Sequence, residues 1–305
     1  MSYLAIDAGQ TSIKVAISAD GKTLTKLTFP GIRTDLPLLP QLAEVTIKAA
    51  NETGINPNTL AAGVSGLTNL ESDATKLLSL TASVGITKVI LAHDSITAFL
   101  GTLGDEHGVV VASGTGVVTF GVGPTSTARV DGWGWIMGDA GSGFWIGKQA
   151  LTAVMRAHDK RGQQTELTER VQNHFPNLED AYIEIQSNPE RVQVVASFAK
   201  DVSELAQTDP IAKEISDLAA TELVDSVTTA WQRVSQPNLT PKIAVTGSVF
   251  KNSRLHETFL EKLQTKIAKF ELIDNEGDGL TGAIALTGLN DEHPLLQAAS
   301  VAVNS

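Results

Sequence analysis

The sequence predicts an α/β protein made of two similar domains, each with the element order βββαβαβα. Two β-type runs, residues 4–6 and 13–17, flank a turn of small polar residues, and residues 109–122 repeat this pattern about a hundred residues later. After each of these hairpins, strand-like and helix-like segments alternate, which indicates mostly parallel sheets covered by helices on both faces. We therefore expect a duplicated unit, with ligand loops at the carboxyl ends of the strands and a cleft onto which the two domains close.

The first domain is predicted to span residues 1–105. Apolar residues at helical spacing, Leu38, Leu42, Val45 and Ala49, indicate a helix that Gly54 ends. Two further helices are expected at about residues 71–83 and 95–103. The expected strands are residues 4–6, 13–17, 23–29, 60–65 and 88–92.

The second domain is predicted to span residues 106–305, after a hinge near residues 103–108. A helical insertion at about 150–235 is expected to interrupt it, because this stretch keeps helical patterning between breaks near Gly162, Pro176, Pro189 and Pro210. The final residues, 294–305, are expected to form a short apolar helix or a tail. The other expected elements are strands at 109–113, 117–122, 125–130, 242–246 and 270–273, and helices at 252–263 and 280–289.

The turn after the first strand has the composition of a phosphate-binding loop. It contains the carboxylate of Asp7, followed by Gly9, Gln10, Thr11 and Ser12, and no large apolar residue. Small residues allow backbone N–H groups and the two hydroxyls to approach a phosphate, while Asp7 can hold a magnesium-bound water. An ordinary tight turn explains this stretch equally well when it is taken alone.

A second turn of the same kind favours the phosphate-loop interpretation. Ser113, Gly114, Thr115 and Gly116 stand between two apolar strands in the second half of the chain. Because the same device occurs once in each predicted domain, a duplicated phosphate site explains both turns better than two unrelated hairpins do.

Composition excludes several classes of protein. The chain has 305 residues, 42% of them hydrophobic, and a mean hydropathy of +0.04, as expected for a globular protein with substantial cores. It has no cysteine, which excludes disulfides, thiolate catalysis and cysteine-bound metals. A net charge of −11 without a Lys/Arg cluster makes nucleic acid a poor partner.

No apolar run approaches the roughly twenty residues of a membrane helix, and no leader precedes the first strand. We therefore expect a cytoplasmic protein without a membrane partner. The six histidines are scattered and none pairs with another at metal-ligand spacing.

Several segments, in the same order along the chain, resemble the acetate and sugar kinase, Hsp70 and actin superfamily. Residues 7–11 and 113–116 are similar to its two phosphate loops, 246–249 to its adenosine loop, and 280–283 to its C-terminal Gly-Ala pair. The most specific match is the stretch 131–147, which is similar to the Gly-Gly-Trp-Gly…Gly-Asp-Glu-Gly-Ser stretch of amino-sugar kinases. Within the superfamily, the sequence resembles the BadF/BadG/BcrA/BcrD-type ATPase family and its N-acetylglucosamine kinases.

This resemblance implies two actin-like (ribonuclease H-like) ATPase domains that bind ATP and Mg²⁺. The sequence departs from the family pattern in four places. The Gly-Gly-Gly of the first loop is Ala8-Gly9-Gln10, and the Glu of Gly-Asp-Glu-Gly-Ser is Ala140. The Gly before the Trp-Gly pair is kept only once, with Asp131 ahead of it, and the loop 30–35 offers Arg33 and Thr34 where the family often has a sugar-binding Asn. These departures concern the sugar more than phosphoryl transfer.

Asp94 is the candidate catalytic base. It stands where a buried strand ends and a helix begins, so its carboxylate can accept the proton of a sugar hydroxyl that attacks the γ-phosphoryl group. On local grounds an N-cap of the helix 95–103 fits equally well. The two hairpins and the family resemblance favour the base.

The remaining candidate residues would bind the sugar and the nucleotide. Asp139 could accept hydrogen bonds from sugar hydroxyls or cap the helix that starts near Gly143, and Trp133 could form an apolar wall for the sugar, with Trp135 in the core. Ser65 is placed to reach the substrate from the end of its strand. The resemblance adds Gly132 and Gly143 to the expected sugar site, and Gly247, Ser248, Gly282 and Ala283 to the expected nucleotide site.

These features predict an ATP-dependent kinase that phosphorylates the 6-hydroxyl of N-acetylglucosamine. The alternatives are a kinase of glucosamine, of a muramic acid derivative or of another hexose. A non-kinase ATPase of the same superfamily and a sugar-sensing regulator are further alternatives. The expected partners are the sugar and ATP. The sequence does not decide whether the protein forms a homodimer.

Overall fold

The computed structural model describes residues 2–274 and 277–304. Within this part of the chain, the strands form one sheet of six strands and one of five. The chain divides into two compact units. The first unit contains the described residues up to Gly108, the turn Val122–Thr127 and the described residues from 277 onward, and the second contains Val109–Gly121 and Ala128–Asp274.

In the sheet of the first unit, the carboxyl ends of three parallel strands lie side by side. Its strands are β1 (Tyr3–Ala8), β2 (Ser12–Ser18), β3 (Thr25–Pro30), β4 (Thr59–Val64), β5 (Lys88–His93) and β11 (Ser300–Val303), in the order β11-β5-β4-β1-β2-β3. The hairpin strands β1, β2 and β3 pair antiparallel, whereas β4 pairs parallel with both β1 and β5. Because Ala8 is in register with Val64, and Val64 with His93, these three parallel strands end side by side.

Helices cover this sheet. They are α1 (Leu38–Thr53), α2 (Ala74–Thr81), α3 (Asp94–Leu103), α10 (Gly279–Leu286) and α11 (Pro294–Gln297). Helices α1 and α2 pack over a core with the apolar side chains of β1, β2 and β4. Helices α3 and α10 pack closely against each other because Gly282 has no side chain; a Cβ atom there would overlap the Thr97 carbonyl oxygen.

The sheet of the second unit repeats the first. Its strands are β6 (Gly108–Ser113), β7 (Val117–Val122), β8 (Thr127–Val130), β9 (Lys242–Thr246) and β10 (Glu271–Ile273). Their order, β10-β9-β6-β7-β8, matches β5-β4-β1-β2-β3 of the first sheet. The duplication that the two hairpins predicted is therefore confirmed.

The insertion of the second unit is helical, as the sequence predicts. It contains α4 (Gly143–His158), α5 (Leu167–His174), α6 (Ala181–Ser187), α7 (Arg191–Leu205) and α8 (Pro210–Val234), and α9 (Ser253–Lys266) follows β9. Helices α4 and α7 make close contact at Gly147, where a Cβ atom would overlap the Val195 carbonyl oxygen. Each helix in residues 2–274 and 277–304 is either too short or too polar to serve as a membrane span.

Several boundaries differ from the sequence-based expectation. The end of the chain is not simply a helix or a tail: after α11, β11 pairs antiparallel with β5, Ser300 opposite Leu91. This pairing satisfies backbone groups that an edge strand would leave open. Residues from 277 onward consequently belong to the first unit, whereas the sequence analysis assigned them to the second domain.

Helix α2 begins at Ala74 rather than near Glu71. Asp73 caps it, since its carboxylate accepts a hydrogen bond from the Lys76 N–H at 2.9 Å. The Glu71 carboxylate instead accepts a hydrogen bond from the Leu38 N–H at 2.7 Å. Glu71 therefore ties the start of α1 to this loop.

Candidate active site

Asp94 lies at the sheet edge where β1, β4 and β5 end. The Ser65 hydroxyl donates a hydrogen bond to Asp94 Oδ2 at 2.5 Å, and Asp94 Oδ1 lies 2.8 Å from Nδ1 of His93. The N-cap of α3 is His93. Its Nδ1 accepts a hydrogen bond from the Ser95 N–H at 3.2 Å when the ring proton is on Nε2, and donates to Asp94 Oδ1 when Nδ1 carries a proton, so these two contacts are alternatives. The Asp94 side chain is 35% exposed, so its carboxylate is accessible to a ligand.

The surroundings of Asp94 keep it ionised. Burial alone raises the pKa of Asp94, but the hydrogen bond and charge of His93 and the hydrogen bond of Ser65 bring the pKa below its ordinary value. An ionised carboxylate at neutral pH can accept a proton.

The first phosphate loop has an exposed tip. The Gly9 N–H donates to the Ser12 carbonyl at 3.1 Å, which leaves Gln10 and Thr11 exposed between them. The other side of the loop rests against Gly31, where a Cβ atom would overlap the Gln10 carbonyl oxygen. The loop therefore packs against Gly31 on one side and is exposed at Gln10 and Thr11.

Asp7 stands at the base of this loop. Burial raises the pKa of Asp7, and the positive charge of Lys14 lowers it. The negative charges of Asp278 and Asp94 raise this pKa further. Lys14 Nζ also lies 3.8 Å from Asp278 Oδ1, and Gly279 packs so closely that a Cβ atom would lie 2.7 Å from Asp7 Oδ1. Asp278 was missed by the sequence analysis. It also caps α10, because its Oδ1 accepts a hydrogen bond from the Leu280 N–H at 3.0 Å.

The carboxylate of Asp7 fits Mg²⁺ that is held mainly through water and phosphate. Among residues 2–274 and 277–304 there is no cluster of three or more His, Cys, Asp or Glu side chains able to hold a metal ion. Mg²⁺ commonly uses one or two carboxylates together with substrate phosphates and waters. Asp7 and Asp278 supply that kind of donor set.

The second phosphate loop joins the start of α4. The Gly114 N–H donates to the Gly116 carbonyl at 2.9 Å, and the loop carbonyls of Gly114 and Thr115 accept from the N–H groups of Gly143 and Phe144 at 2.7 and 3.0 Å. Gly143 therefore supports the loop through its backbone.

Gly247 supports the same loop from β9. Its φ of +96° is a conformation that favours glycine, and a Cβ atom would overlap the Ser113 carbonyl oxygen. The small residue expected at the adenosine loop is thus required by packing against Ser113.

A cavity of about 530 Å³ opens beside this loop, within the second unit. Its walls come from the phosphate loop, α4, α7 and a 3₁₀ turn, Ser248–Lys251. Its lining includes Gly114, Thr115 and Ser248, which the sequence analysis assigned to the nucleotide site, and Gly143, which it assigned to the sugar site. The sequence analysis missed the contribution of α7, whose lining residues are Gln193, Ala196, Ser197, Ala199, Lys200 and Ser203. The polar residues at 193, 197 and 200 share one helix face. Because exposed helices generally have a polar face, this pattern alone does not indicate a ligand site.

The Trp-containing loop between β8 and α4 is closed by Asp131. Its carboxylate accepts hydrogen bonds from the N–H groups of Gly132, Asp139 and Ala140 at 2.7, 2.8 and 3.0 Å. Asp131 and Asp139 both have a φ of +59°, which is uncommon for residues other than glycine. The sequence analysis treated Asp131 only as a departure from the family pattern, yet this residue organises the loop.

Asp139 lies between this loop and the second phosphate loop. Its Oδ1 accepts from the Gly134 N–H at 3.2 Å, and a Cβ atom on Gly116 would lie 2.8 Å from its Oδ2. Burial and the charge of Asp131 raise the pKa of Asp139, although backbone hydrogen bonds oppose them. The cap of α4 is Ser142, whose hydroxyl accepts from the Trp145 N–H at 3.2 Å.

Trp133 projects from the loop and is 59% exposed. The Arg129 guanidinium lies 5.1 Å from the Trp133 ring centroid and donates a hydrogen bond to the Gly132 carbonyl. Trp135 was expected in the core, but it is 39% exposed. Its ring packs against that of Phe144, with ring centroids 5.2 Å apart. The exposed tryptophans make this loop an apolar surface.

The structure brings Thr34 close to the Ser65 turn. A Cβ atom on Gly66 would lie 3.1 Å from Thr34 Cγ2. Arg33 is exposed and pairs with Asp35 at 2.7 Å. Gly282 and Ala283 are buried in the first unit, against α3 and the sheet, where small residues are needed for helix packing.

Two sheets of the same strand order, each with a small-residue loop after its first strand, define an actin-like fold of two α/β domains. A candidate N-acetylglucosamine kinase from Chromobacterium violaceum has this fold, with a TM-score of 0.70 and 21% identity over 93% of this chain and 98% of that one. Residues 4–287 match the BadF/BadG/BcrA/BcrD ATPase family. The chain belongs to this family.

Two relatives with assigned activities are similar in sequence. An N-acetylmuramic acid/N-acetylglucosamine kinase of Clostridium acetobutylicum is 30% identical over 204 residues, covering 65% of this chain and 67% of the relative. An N-acetyl-D-glucosamine kinase of Dictyostelium discoideum is 25% identical over 320 residues, covering 95% of this chain and 98% of the relative.

Proposed function

We propose that this protein is an ATP-dependent amino-sugar kinase that transfers the γ-phosphoryl group to the 6-hydroxyl of N-acetylglucosamine. The observation that carries the proposal is Asp94, an accessible and ionised carboxylate held by Ser65 and His93 at the strand ends next to the first phosphate loop. The activities assigned to both sequence relatives support the amino sugar as acceptor.

Asp94 acts as the general base in this proposal. The sugar hydroxyl gives its proton to the Asp94 carboxylate while its oxygen forms a bond to the γ-phosphorus, and the bond from that phosphorus to the β-bridging oxygen breaks, which releases ADP. Ser65 and His93 hold the carboxylate in position and favour its ionised form.

In this proposal the second phosphate loop and the cavity beside it bind the nucleotide. The cavity volume of about 530 Å³ lies in the ordinary range for cofactor sites, and Thr115 and Ser248 offer hydroxyls at its wall. Mg²⁺, when bound, neutralises phosphate charge during transfer, and Asp7 would hold it through water.

Trp133 and Asp139 are the proposed sugar-recognition residues of the second unit, and Thr34 and Ser65 those of the first. An exposed tryptophan ring suits the apolar face of a pyranose or an acetyl methyl, and a carboxylate forms strong hydrogen bonds with hydroxyls. N-acetylmuramic acid is the second acceptor to test, because the relative from Clostridium acetobutylicum is assigned both sugars.

A coupled ADP-release assay across a panel of sugars tests the proposal, with the phosphorylated position of the product assigned by NMR. We expect turnover that depends on N-acetylglucosamine and yields the 6-phosphate. Asp94→Asn should lower kcat by at least about a hundredfold while ATP binding stays nearly unchanged. Asp291→Asn is the control, because the Asp291 side chain is 90% exposed. ATP turnover that is independent of any sugar would mean that the protein is a non-kinase ATPase.

A further inference from the structure

The helical insertion contains a second cavity, of about 370 Å³, between α4, α5 and α6. Its floor is formed by buried apolar side chains, among them Val171, Leu178 and Ala181. Leu151 and Met155 of α4 form one wall, and the ring of Tyr182, which is 60% exposed, borders the cavity. None of these residues takes part in the proposed phosphoryl transfer.

Three cationic side chains border this apolar cavity: Lys148, Arg156 and Arg161. They are notable in a chain whose net charge is −11. Arg161 pairs with Asp159 at 2.6 Å, and Arg156 Nη2 donates to the Arg161 carbonyl at 3.3 Å. In the part of the chain that the structure describes, neither the Lys148 ammonium nor the Arg156 guanidinium pairs with a carboxylate.

The nearby carboxylates already have other partners. The Asp159 carboxylate accepts hydrogen bonds from both Nε and Nη2 of Arg161. The Glu179 carboxylate lies 3.5 Å from His158 Nε2. Lys148 and Arg156 lie on one face of α4, two turns apart, which is about 12 Å along the helix. The cavity therefore combines apolar walls with two cations that have free hydrogen-bond donors.

We propose that this cavity binds a small amphipathic carboxylate, an apolar chain that ends in a single anionic group. The chain would lie against Leu151, Met155 and Leu178, where it leaves water. The carboxylate would accept charge-assisted hydrogen bonds from Lys148 or Arg156 at the rim. Charge complementarity favours this ligand over a neutral one, because only an anionic end group can form an ion pair with Lys148 or Arg156.

The test is calorimetric titration of the full chain with decanoate, below its micelle-forming concentration, and with 1-decanol as the uncharged counterpart. We expect decanoate to bind once per chain and decanol to bind at least about tenfold more weakly. The double variant Lys148→Gln/Arg156→Gln should weaken decanoate to the level of decanol. Thr152→Trp, which fills the cavity from an exposed position of α4, should abolish binding of both. Lys266→Gln, an exposed change at the end of α9, is the matched control.

Three results would overturn the proposal: no decanoate binding, equal binding of decanol, or full decanoate affinity in the double variant. Sedimentation of wild type and Tyr182→Ala tests a competing occupant, since a dimer that this substitution dissociates would mean that a second copy covers the cavity. These readouts do not depend on kinase activity, so they are independent of the outcome for the proposed function.

Discussion

Ser65 links the position of Asp94 to its ionisation. Its hydroxyl is 2.5 Å from Asp94 Oδ2 and lowers the pKa of this carboxyl, together with His93. Asp94 can accept a proton only when it is ionised, so activity that depends on it is present above the Asp94 pKa and is lost as the pH falls through that pKa.

Replacing Ser65 by Ala removes one stabilising hydrogen bond and therefore raises the Asp94 pKa. We expect the acid limb of the kcat/KM profile to move to higher pH, and kcat/KM at neutral pH to fall about three- to tenfold. Steady-state assays from acidic to neutral pH measure both effects, and Ser79→Ala, an exposed serine of α2, is the control. A rate loss that is equal at every pH, with the acid limb unmoved, would mean that Ser65 only packs against Asp94.

In the sequence, Asp94 and Asp139 both stand close to predicted helix starts, and each fits an N-cap as well as a ligand. The structure assigns the caps to His93 and Ser142 instead. Sequence could not decide between these roles, because neighbouring residues can satisfy the same N–H groups. Asp131 was missed for a related reason: its three hydrogen bonds reach N–H groups up to nine positions away, beyond any local motif.

At the level of elements, glycines set how closely helices approach. Gly282 in α10 lies against the backbone of α3, and Gly147 in α4 lies against the backbone of α7. The sequence analysis interpreted the Gly282-Ala283 pair as part of the nucleotide site. A small residue in a sequence signals the close approach of either a ligand or a helix, and the structure shows the helix contact of Gly282.

Gly282→Ala should destabilise the first unit, because its methyl group would overlap the Thr97 carbonyl oxygen. We expect a loss of about 1–3 kcal/mol, typical of overpacking, measured as a lower midpoint of urea unfolding. Gly288→Ala is the matched control, since its methyl group would make only an ordinary contact, 3.7 Å from the Ala285 carbonyl oxygen. Equal midpoints for the two variants would show that α3 and α10 separate easily.

Strand β11 shows which elements a sequence leaves undetermined. It has four residues, Ser300–Val303, too few for a reliable periodic signal. What fixes it as a strand is the open edge of β5, which lies some two hundred positions earlier in the chain. The long, periodic elements around it need no such partner to be recognised, and their existence followed from the sequence.

At the scale of the whole molecule, the same strand order occurs twice, and each copy has different surroundings. The two sheets share a strand order, and each has a small-residue loop after its first strand. The hydrogen-bonded pair of Ser65 and Asp94 belongs to the first unit, whereas the cavity beside Thr115 belongs to the second. The duplicated fold was predictable because it repeats. The cavity of the second unit was not, because α7 and other residues of the insertion form much of its lining.

Because the Ser65–Asp94 pair and the cavity belong to different units, we expect that nucleotide binding and phosphoryl transfer can be lost separately. Ser197→Trp would place an indole in the cavity from an exposed position of α7, so ATP affinity should fall by more than about tenfold, as expected when a pocket is filled. Ser187→Trp, at an exposed position of α6 outside that cavity, is the matched control and should bind ATP normally. Calorimetric titration with a non-hydrolysable ATP analogue measures both.

Asp94→Asn should show the opposite pattern, with normal nucleotide affinity and almost no transfer, because the base takes part only when the hydroxyl attacks. If Ser197→Trp binds the analogue as tightly as the wild type, the nucleotide does not use the cavity of the second unit. If Asp94→Asn loses nucleotide affinity and turnover together, Asp94 maintains the structure of the sheet edge, and the acceptor hydroxyl must give its proton to another group.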